Sequence, residues 1–237
     1  MTQHPSIIAV VPAAGVGSRM QADRPKQYLH IHGKTVLEHT LDALCNHPQI
    51  ARVVVAVSPD DPYFETLPVA HAPWLTRVSG GSTRSESVLA AIASLPEASW
   101  ALVHDAARPC LSRQDLDALI QAALTSSVAG AILATPVRDT MKRAQAGNSA
   151  PALIAHTESR EHLWHALTPQ MFRTGQLRAA LEHAQQAGGT VTDEASAMEA
   201  SGHAVALVDA NPANIKITRP ADMPLAQFYL SALHENS

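Results

Sequence analysis

The sequence predicts an α/β fold on a mostly parallel, doubly wound sheet. Three observations point there. Short apolar runs of buried-strand length recur along the chain, beginning with Ile7 to Val11. Segments with apolar residues at helical spacing separate them, as Leu37, Leu41 and Leu44 do at i, i+4 and i+7. Glycine and proline close the runs where loops are needed. Strands alternating with helices imply βαβ units, which wind into a parallel sheet by right-handed crossovers.

Each element follows in order. Ile7 to Val11 is continuous and apolar, and ends at Pro12 and a glycine-containing loop. The Leu37 stripe predicts the first helix. Val53 to Val57 is a second β-branched run, closed by Ser58-Pro59. Val88, Ile92 and Leu95 give another helical stripe, and Ala101 to Val103 another strand. Ser112 with Asp115 has capping-box spacing and opens a helix with Leu116, Leu119, Ile120 and Ala123 on one face. Ala131 to Ala134 and Val205 to Val208 complete the core strands. Between Val137 and Pro151 the character changes: Arg138, Asp139, Lys142 and Arg143 precede a Gly147-Asn148-Ser149 turn signal, and Ala152 to Ala155 follows. That pattern predicts a projecting hairpin. The expectation is one domain over residues 1–237 that carries an arm.

The composition narrows the function classes. Of 237 residues, 46% are hydrophobic and 16% charged, enough apolar material for a sizeable core. A formal charge of −4 gives no basic surface for a nucleic-acid polymer. A few focused Lys and Arg residues still suffice for an anionic small molecule. Cys45 and Cys110 match no metal-ligand spacing and read as thiols of a reducing compartment. No signal-peptide pattern opens the chain, and Ile7 to Val11 is too short to span a bilayer. The expected location is the cytoplasm.

Pro12-Ala13-Ala14-Gly15-Val16-Gly17-Ser18-Arg19-Met20 follows the first strand directly, at the end where parallel sheets bind ligands. Gly15 and Gly17 let backbone N–H groups approach an anion. A dinucleotide fingerprint needs a small residue where Met20 stands, and the Gly-Lys-Ser/Thr of a Walker loop is absent. An anion loop and a passive turn both remain open. Arg19, Pro25, Lys26 and Gln27 favour the first, since a cationic fork and a point charge suit a triphosphate.

Other constellations carry two readings each. Gly80-Gly81-Ser82-Thr83-Arg84 and Ser87 form either a bare-backbone platform for a base or a loop with a helix cap. In His104-Asp105-Ala106-Ala107-Arg108-Pro109, Asp105 suits Mg²⁺ and Arg108 a phosphate, or the two form an ion pair. Thr192 reads as the cap of a helix whose first turn holds Asp193 and Glu194. Lys216, flanked by Ile215 and Ile217 near a strand end, points into a site or to solvent. His30 and His32 lack a third metal ligand and read as surface residues, and no His is placed to activate Cys110.

The motifs Pro12-Ala-Ala-Gly-x-Gly-x-Arg-Met20, Pro25-Lys-Gln27, Gly80-Gly-x-x-Arg84, Ser87-Val88, His104-Asp-Ala-Ala-Arg-Pro109, Thr192-Asp-Glu-Ala-Ser196 and Asn214-Ile-Lys-Ile-Thr-Arg-Pro220 occur in that order. By them the chain, from Ile7 to Asp222, resembles the 2-C-methyl-D-erythritol 4-phosphate cytidylyltransferases of the non-mevalonate isoprenoid pathway. The resemblance implies a Rossmann-like nucleotidyltransferase fold and a homodimer whose arms, near residues 136–158, interlock. It implies that CTP and methylerythritol phosphate react, with Mg²⁺, to give the CDP-linked alcohol and pyrophosphate.

By the same resemblance Ala13, Ala14, Gly15, Gly17, Gly80, Gly81 and Ser87 hold CTP. Arg19 and Lys26 stabilise charge on the reacting triphosphate. Thr140, Arg160, Thr192 and Lys216 hold the acceptor with Asp105 and Arg108, and Arg160 and Lys216 add catalytic positive charge. Thr140 lies on the arm and would serve the partner subunit's site. The expected enzyme has one function, without a fused cyclodiphosphate synthase domain. Three alternatives stand beside it: a cytidylyltransferase for another sugar-alcohol phosphate such as ribitol 5-phosphate, a nucleotide sensor without turnover, and an NAD-dependent oxidoreductase, which Met20 disfavours.

Overall fold

The computed structural model describes residues 5–15, 23–125, 127–147, 150–188 and 191–235. In chain order its elements are β1 (Ile7–Pro12), β2 (His30–Ile31), β3 (Lys34–Thr35), α1 (Val36–Cys45), β4 (Ile50–Val57), β5 (Leu75–Ser79), α2 (Arg84–Ala93) and β6 (Trp100–Val103). There follow α3 (Arg113–Thr125), β7 (Gly130–Pro136), β8 (Met141–Ala144), β9 (Ile154–Glu158), β10 (Trp164–Arg173), α4 (Thr174–Gln186), α5 (Glu194–Ala200), β11 (Val205–Asp209) and α6 (Asp222–Glu235).

Seven strands form one sheet in the order β11-β7-β10-β6-β1-β4-β5. Every neighbouring pair is parallel except those of β10, which runs antiparallel to β6 and to β7. The sheet is therefore mostly parallel, as expected.

Both faces are covered, and the strand alternation assigns each residue to a face. Ile7, Ala9 and Val11 of β1 pack in one cluster with Val53, Val55 and Val57 of β4 and the leucines of α1 and α3. Ile8 and Val10 pack in the opposite cluster with Val54, Ala56, and Val88 and Ile92 of α2 and Leu177 of α4. Successive strand side chains point to opposite faces, so a strand covered on both must be apolar throughout. That is why these strands read as continuous runs.

Helix entry is set by local capping. Thr35 caps α1 with Glu38 returning the bond, and Thr83 caps α2 with Glu86 in the same way. For α5 the cap is Asp193, whose side chain accepts from Ser196 N–H, and not Thr192. Thr192 is exposed, and its backbone N–H donates to Ser196 Oγ. At α3, Ser112 Oγ accepts from Asp115 N–H, but Asp115 turns its own carboxylate to Asn211 N–H.

Two further expectations change. Residues 214–218 form no strand: Ile217 is buried in a third cluster with Ala226 and Leu230 of α6, and its N–H donates to Ala107 O at 2.9 Å. The apolar flanks of Lys216 reflect that packing. The hairpin, by contrast, is present as β8 paired antiparallel with β9, outside the main sheet. Its residues Leu153 and Ile154 are exposed by 55% and 61%. Among the described residues, no helix is long and apolar enough to cross a membrane.

Candidate active site

The carboxyl ends of β1, β5 and β6 lie along one edge of the sheet, and the segments that follow them meet around a cleft of about 330 Å³. The loop after β1 contributes Ala13, Ala14 and Gly15, the loop after β5 contributes Gly81 to Thr83, and Asp105 follows β6. Lys26, Gln27, Arg84, Ser87 and Lys216 also line it, with Pro12, Ala106 and Ala107 between them.

The glycine-containing loop is held from behind. Gln27, only 4% exposed, donates from Nε2 to Ala13 O at 2.9 Å and to Gly15 O at 3.0 Å. A Cβ on Gly15 would meet nothing within 4 Å among the described residues, and the backbone there borders the cleft. Gly80 is different. A Cβ there would lie 2.6 Å from Ala14 Cβ, so this glycine lets the β1 and β5 loops touch. Gly81 is bare for a related reason: its Cβ would lie 2.4 Å from Glu86 Cβ in the α2 cap. Ser87 is buried, its Oγ accepting from Gly81 N–H and donating to Thr83 O.

Asp105 is the electrostatic centre. Arg84 Nε donates to its Oδ1 at 2.9 Å, while Lys216 Nζ lies 2.8 Å and Arg108 Nε 3.5 Å from Oδ2. Burial opposes its ionisation, but Arg84, then Lys216 and Arg108, outweigh burial and hold the carboxyl well below the usual carboxylate range. Both oxygens are committed to cations. Asp105 alone thus does not fit the role of a Mg²⁺ ligand, and no group of three or more metal-ligating side chains occurs among the described residues. Arg108 serves from beneath: its Nη1 donates to Asn214 O at 2.7 Å and it does not line the cleft.

His104 braces this centre. Asp105 N–H donates to Thr168 Oγ1 at 3.0 Å, so the Thr168 hydroxyl is free to donate to His104 Nδ1, 2.9 Å away. With Nδ1 accepting, the ring is neutral and carries its proton on Nε2, which donates to Arg108 O at 3.0 Å. Burial pushes its pKa down to about 4 in accord with that bonding.

Of the residues expected from the sequence, Ala13, Ala14, Gly15, Lys26, Gly81, Ser87, Asp105 and Lys216 come together at the cleft. Lys26 Nζ donates to Ile217 O at 2.6 Å, which ties the two lysine segments. Gly80 and Arg108 stand behind the wall. Thr140 and Arg160 lie at the base of the hairpin, away from the cleft lining, and Arg160 donates to Arg138 O. Thr192 also lies outside the lining. Gly17 and Arg19 fall outside the described residues. Gln27, Arg84 and Glu194 were not assigned roles from the sequence. Arg84 stood in the Gly80-Gly-x-x-Arg84 motif, but its bidentate partner Glu194 is 110 residues away.

Comparison with known proteins gives one answer. The family model described as "IspD: 2-C-methyl-D-erythritol 4-phosphate cytidylyltransferase" matches residues 7–232. A protein of that name from Alteromonas mediterranea is 57% identical over 226 residues, which cover 95% of this chain and 93% of the relative. Its counterpart from Vibrio parahaemolyticus is 58% identical over 230 residues, 95% and 96% of the two chains. The crystal structure of the Francisella tularensis 2-C-methyl-D-erythritol 4-phosphate cytidylyltransferase aligns with a TM-score of 0.81 at 32% identity, over 94% of this chain and 99% of that one.

Proposed function

This chain belongs to the 2-C-methyl-D-erythritol 4-phosphate cytidylyltransferase family, and on that premise we propose that it transfers CMP from CTP to 2-C-methyl-D-erythritol 4-phosphate. The products are 4-diphosphocytidyl-2-C-methyl-D-erythritol and pyrophosphate. The observation that carries the reading is the convergence of the Gly15 loop, Lys26 and Lys216 on one cleft at the strand ends.

A phosphate oxygen of the acceptor attacks the α-phosphorus of CTP, one P–O bond forms, and the bond to pyrophosphate breaks. No protein nucleophile is needed. The chain has to align two anions that repel each other and supply positive charge where negative charge builds on the departing pyrophosphate. Gly15 and Gly81 give the triphosphate and base close access to backbone. Lys26 faces the triphosphate, and the family resemblance gives Arg19 the same charge-stabilising role. Lys216, fixed by Asp105, draws the acceptor phosphate toward the α-phosphorus. A divalent cation such as Mg²⁺ would supply charge neutralisation on the triphosphate, and it would need few protein ligands to do so.

The chain is further proposed to be one nucleotidyltransferase domain with a dimerisation arm at about residues 136–158, acting as a homodimer in the cytoplasm. The exposed Leu153 and Ile154 support the arm's role, and the free thiols Cys45 and Cys110 a reducing compartment. In that dimer Thr140 and Arg160 of one protomer meet the acceptor held by its partner.

Pyrophosphate release from CTP and Mg²⁺ tests the reading, with methylerythritol phosphate and ribitol 5-phosphate in parallel. Release with the first alone is expected. Release with ribitol phosphate alone would keep the chemistry and overturn the acceptor. CTP binding without release would leave a sensor.

A further inference from the structure

Glu194 belongs to neither substrate's set of residues, yet it is wired into the middle of the site. Its side chain is fully buried, at 0% exposure. Arg84 Nη1 donates to its Oε1 at 2.7 Å and Nη2 to its Oε2 at 3.0 Å, a fork-on-fork pair. The same guanidinium turns its third edge outward, and Nε donates to Asp105 Oδ1. Oδ2 of Asp105 is left to Lys216 and, at longer range, to Arg108.

The connections join three segments. Arg84 is the first residue of α2, directly after the Gly80–Thr83 loop. Glu194 is the first residue of α5, two residues after Thr192. Asp105 follows β6 and holds Lys216. Three cations share two carboxylates here, so the hub keeps a net positive charge beside the cleft. Only a planar fork can satisfy two acids at fixed angles in this way, and a lysine cannot.

We propose that Glu194 is a positioning residue: by gripping both Nη groups it fixes the orientation of the Arg84 guanidinium, so that Arg84 meets Asp105 through Nε at Oδ1, and so reserves Asp105 Oδ2 for Lys216 on the acceptor side of the cleft. The proposal rests on the reading that Lys216 meets the acceptor. Without the Glu194 charge, the freed fork turns to the acid it already touches. Bidentate Arg84–Asp105 pairing then displaces Lys216. A displacement of such a group by about 1 Å costs on the order of 10²-fold in rate.

The test is steady-state pyrophosphate release with CTP and acceptor varied separately. Wild-type enzyme comes first, and its silence would overturn the functional reading itself. Given wild-type turnover, Glu194→Gln is expected to lower kcat/KM for the acceptor on the order of 10²-fold, with KM for CTP within about threefold. The double variant Arg84→Gln/Glu194→Gln is expected to recover at least about tenfold over Glu194→Gln, because the competitor for Asp105 is gone. Additive losses in the double variant, equal losses for both substrates, or a wild-type acceptor kcat/KM in Glu194→Gln would each overturn the proposal. If Glu194→Gln fails to fold by circular dichroism, Glu194→Asp carries the same test. Its shorter reach weakens the grip on Arg84, and unchanged acceptor kinetics in it would overturn the proposal equally.

Discussion

The side-chain amide of Gln27 sits 2.9 Å from the carbonyl oxygen of Ala13 and donates to it from a buried position. The second donation, to Gly15 O, ties that carbonyl to Gln27 as well. A loop that must greet an anion with N–H groups has to dispose of its carbonyls, and Gln27 accepts that task. Gln27→Leu is expected to raise KM for CTP about tenfold or more. It should also lower stability by about 1–3 kcal/mol, the cost of leaving buried acceptors unpaired. Urea titration and initial rates check both parts, and unchanged CTP kinetics would sink the loop-orienting role.

Two glycines should respond oppositely. Gly15→Ala places its methyl at the cleft and should leave stability within about 0.5 kcal/mol of wild type while weakening CTP binding. Gly80→Ala drives a methyl into Ala14 and should cost about 1–3 kcal/mol of stability. Denaturant midpoints with calorimetric CTP binding separate the two.

Lys26→Ala should retain the fold and lose turnover. Removing one preorganised charge donor costs about 2–4 kcal/mol of activation free energy, which is 10²- to 10³-fold in rate. Single-turnover measurement at saturating CTP reads it directly, and wild-type rates would remove Lys26 from the mechanism.

His104 gives a pH signature for stability. Its pKa falls from about 6.5 unfolded to about 4 folded, so the unfolded chain binds the extra proton in between. Stability from this group is complete above about pH 6.5 and is lost as pH falls toward 4, by about 3 kcal/mol in all. His104→Gln should flatten that slope in denaturation curves taken from pH 7 to pH 4. An undiminished slope would place its origin elsewhere.

Ile154→Asp puts a charge on the exposed hairpin strand β9. Sedimentation is expected to show a shift from dimer to monomer, with loss of turnover, while the melting of the main sheet stays intact. A dimer that persists would remove the hairpin from the interface.

How much was legible depended on burial. The strands β1, β4 and β6 are covered on both faces, so their sequences carry unbroken apolar runs. β5 is an edge strand with Thr76, Arg77 and Ser79 exposed, and that pattern has no apolar run to detect. β10 contains Pro169, which reads as a breaker. The proline falls within the register shift between Ala166 and Gln170, where a missing N–H costs no ladder bond. Ile215 and Ile217 look β-like and suggest a strand end near Lys216, whereas Ile217 serves a small helix-facing cluster. The motif residues themselves were visible, but the Arg84–Glu194 pair was not. Glu194 satisfies the local rule for an acid in a first helical turn, and nothing near it in sequence names its partner.

The hairpin departs from β7 and returns into β10, while the glycine-containing loops hang from β1 and β5. In the proposed function one edge of the scaffold serves the nucleotide, and the hairpin insert adds Thr140 to the acceptor side that Asp105 and Lys216 begin. Such an insert is an exchangeable cassette. Its length and side chains are free to diverge without disturbing the strands that make the nucleotide loops meet. Grafting the hairpin of a relative with another polyol preference onto this scaffold is the natural route to a new product from the same activated donor.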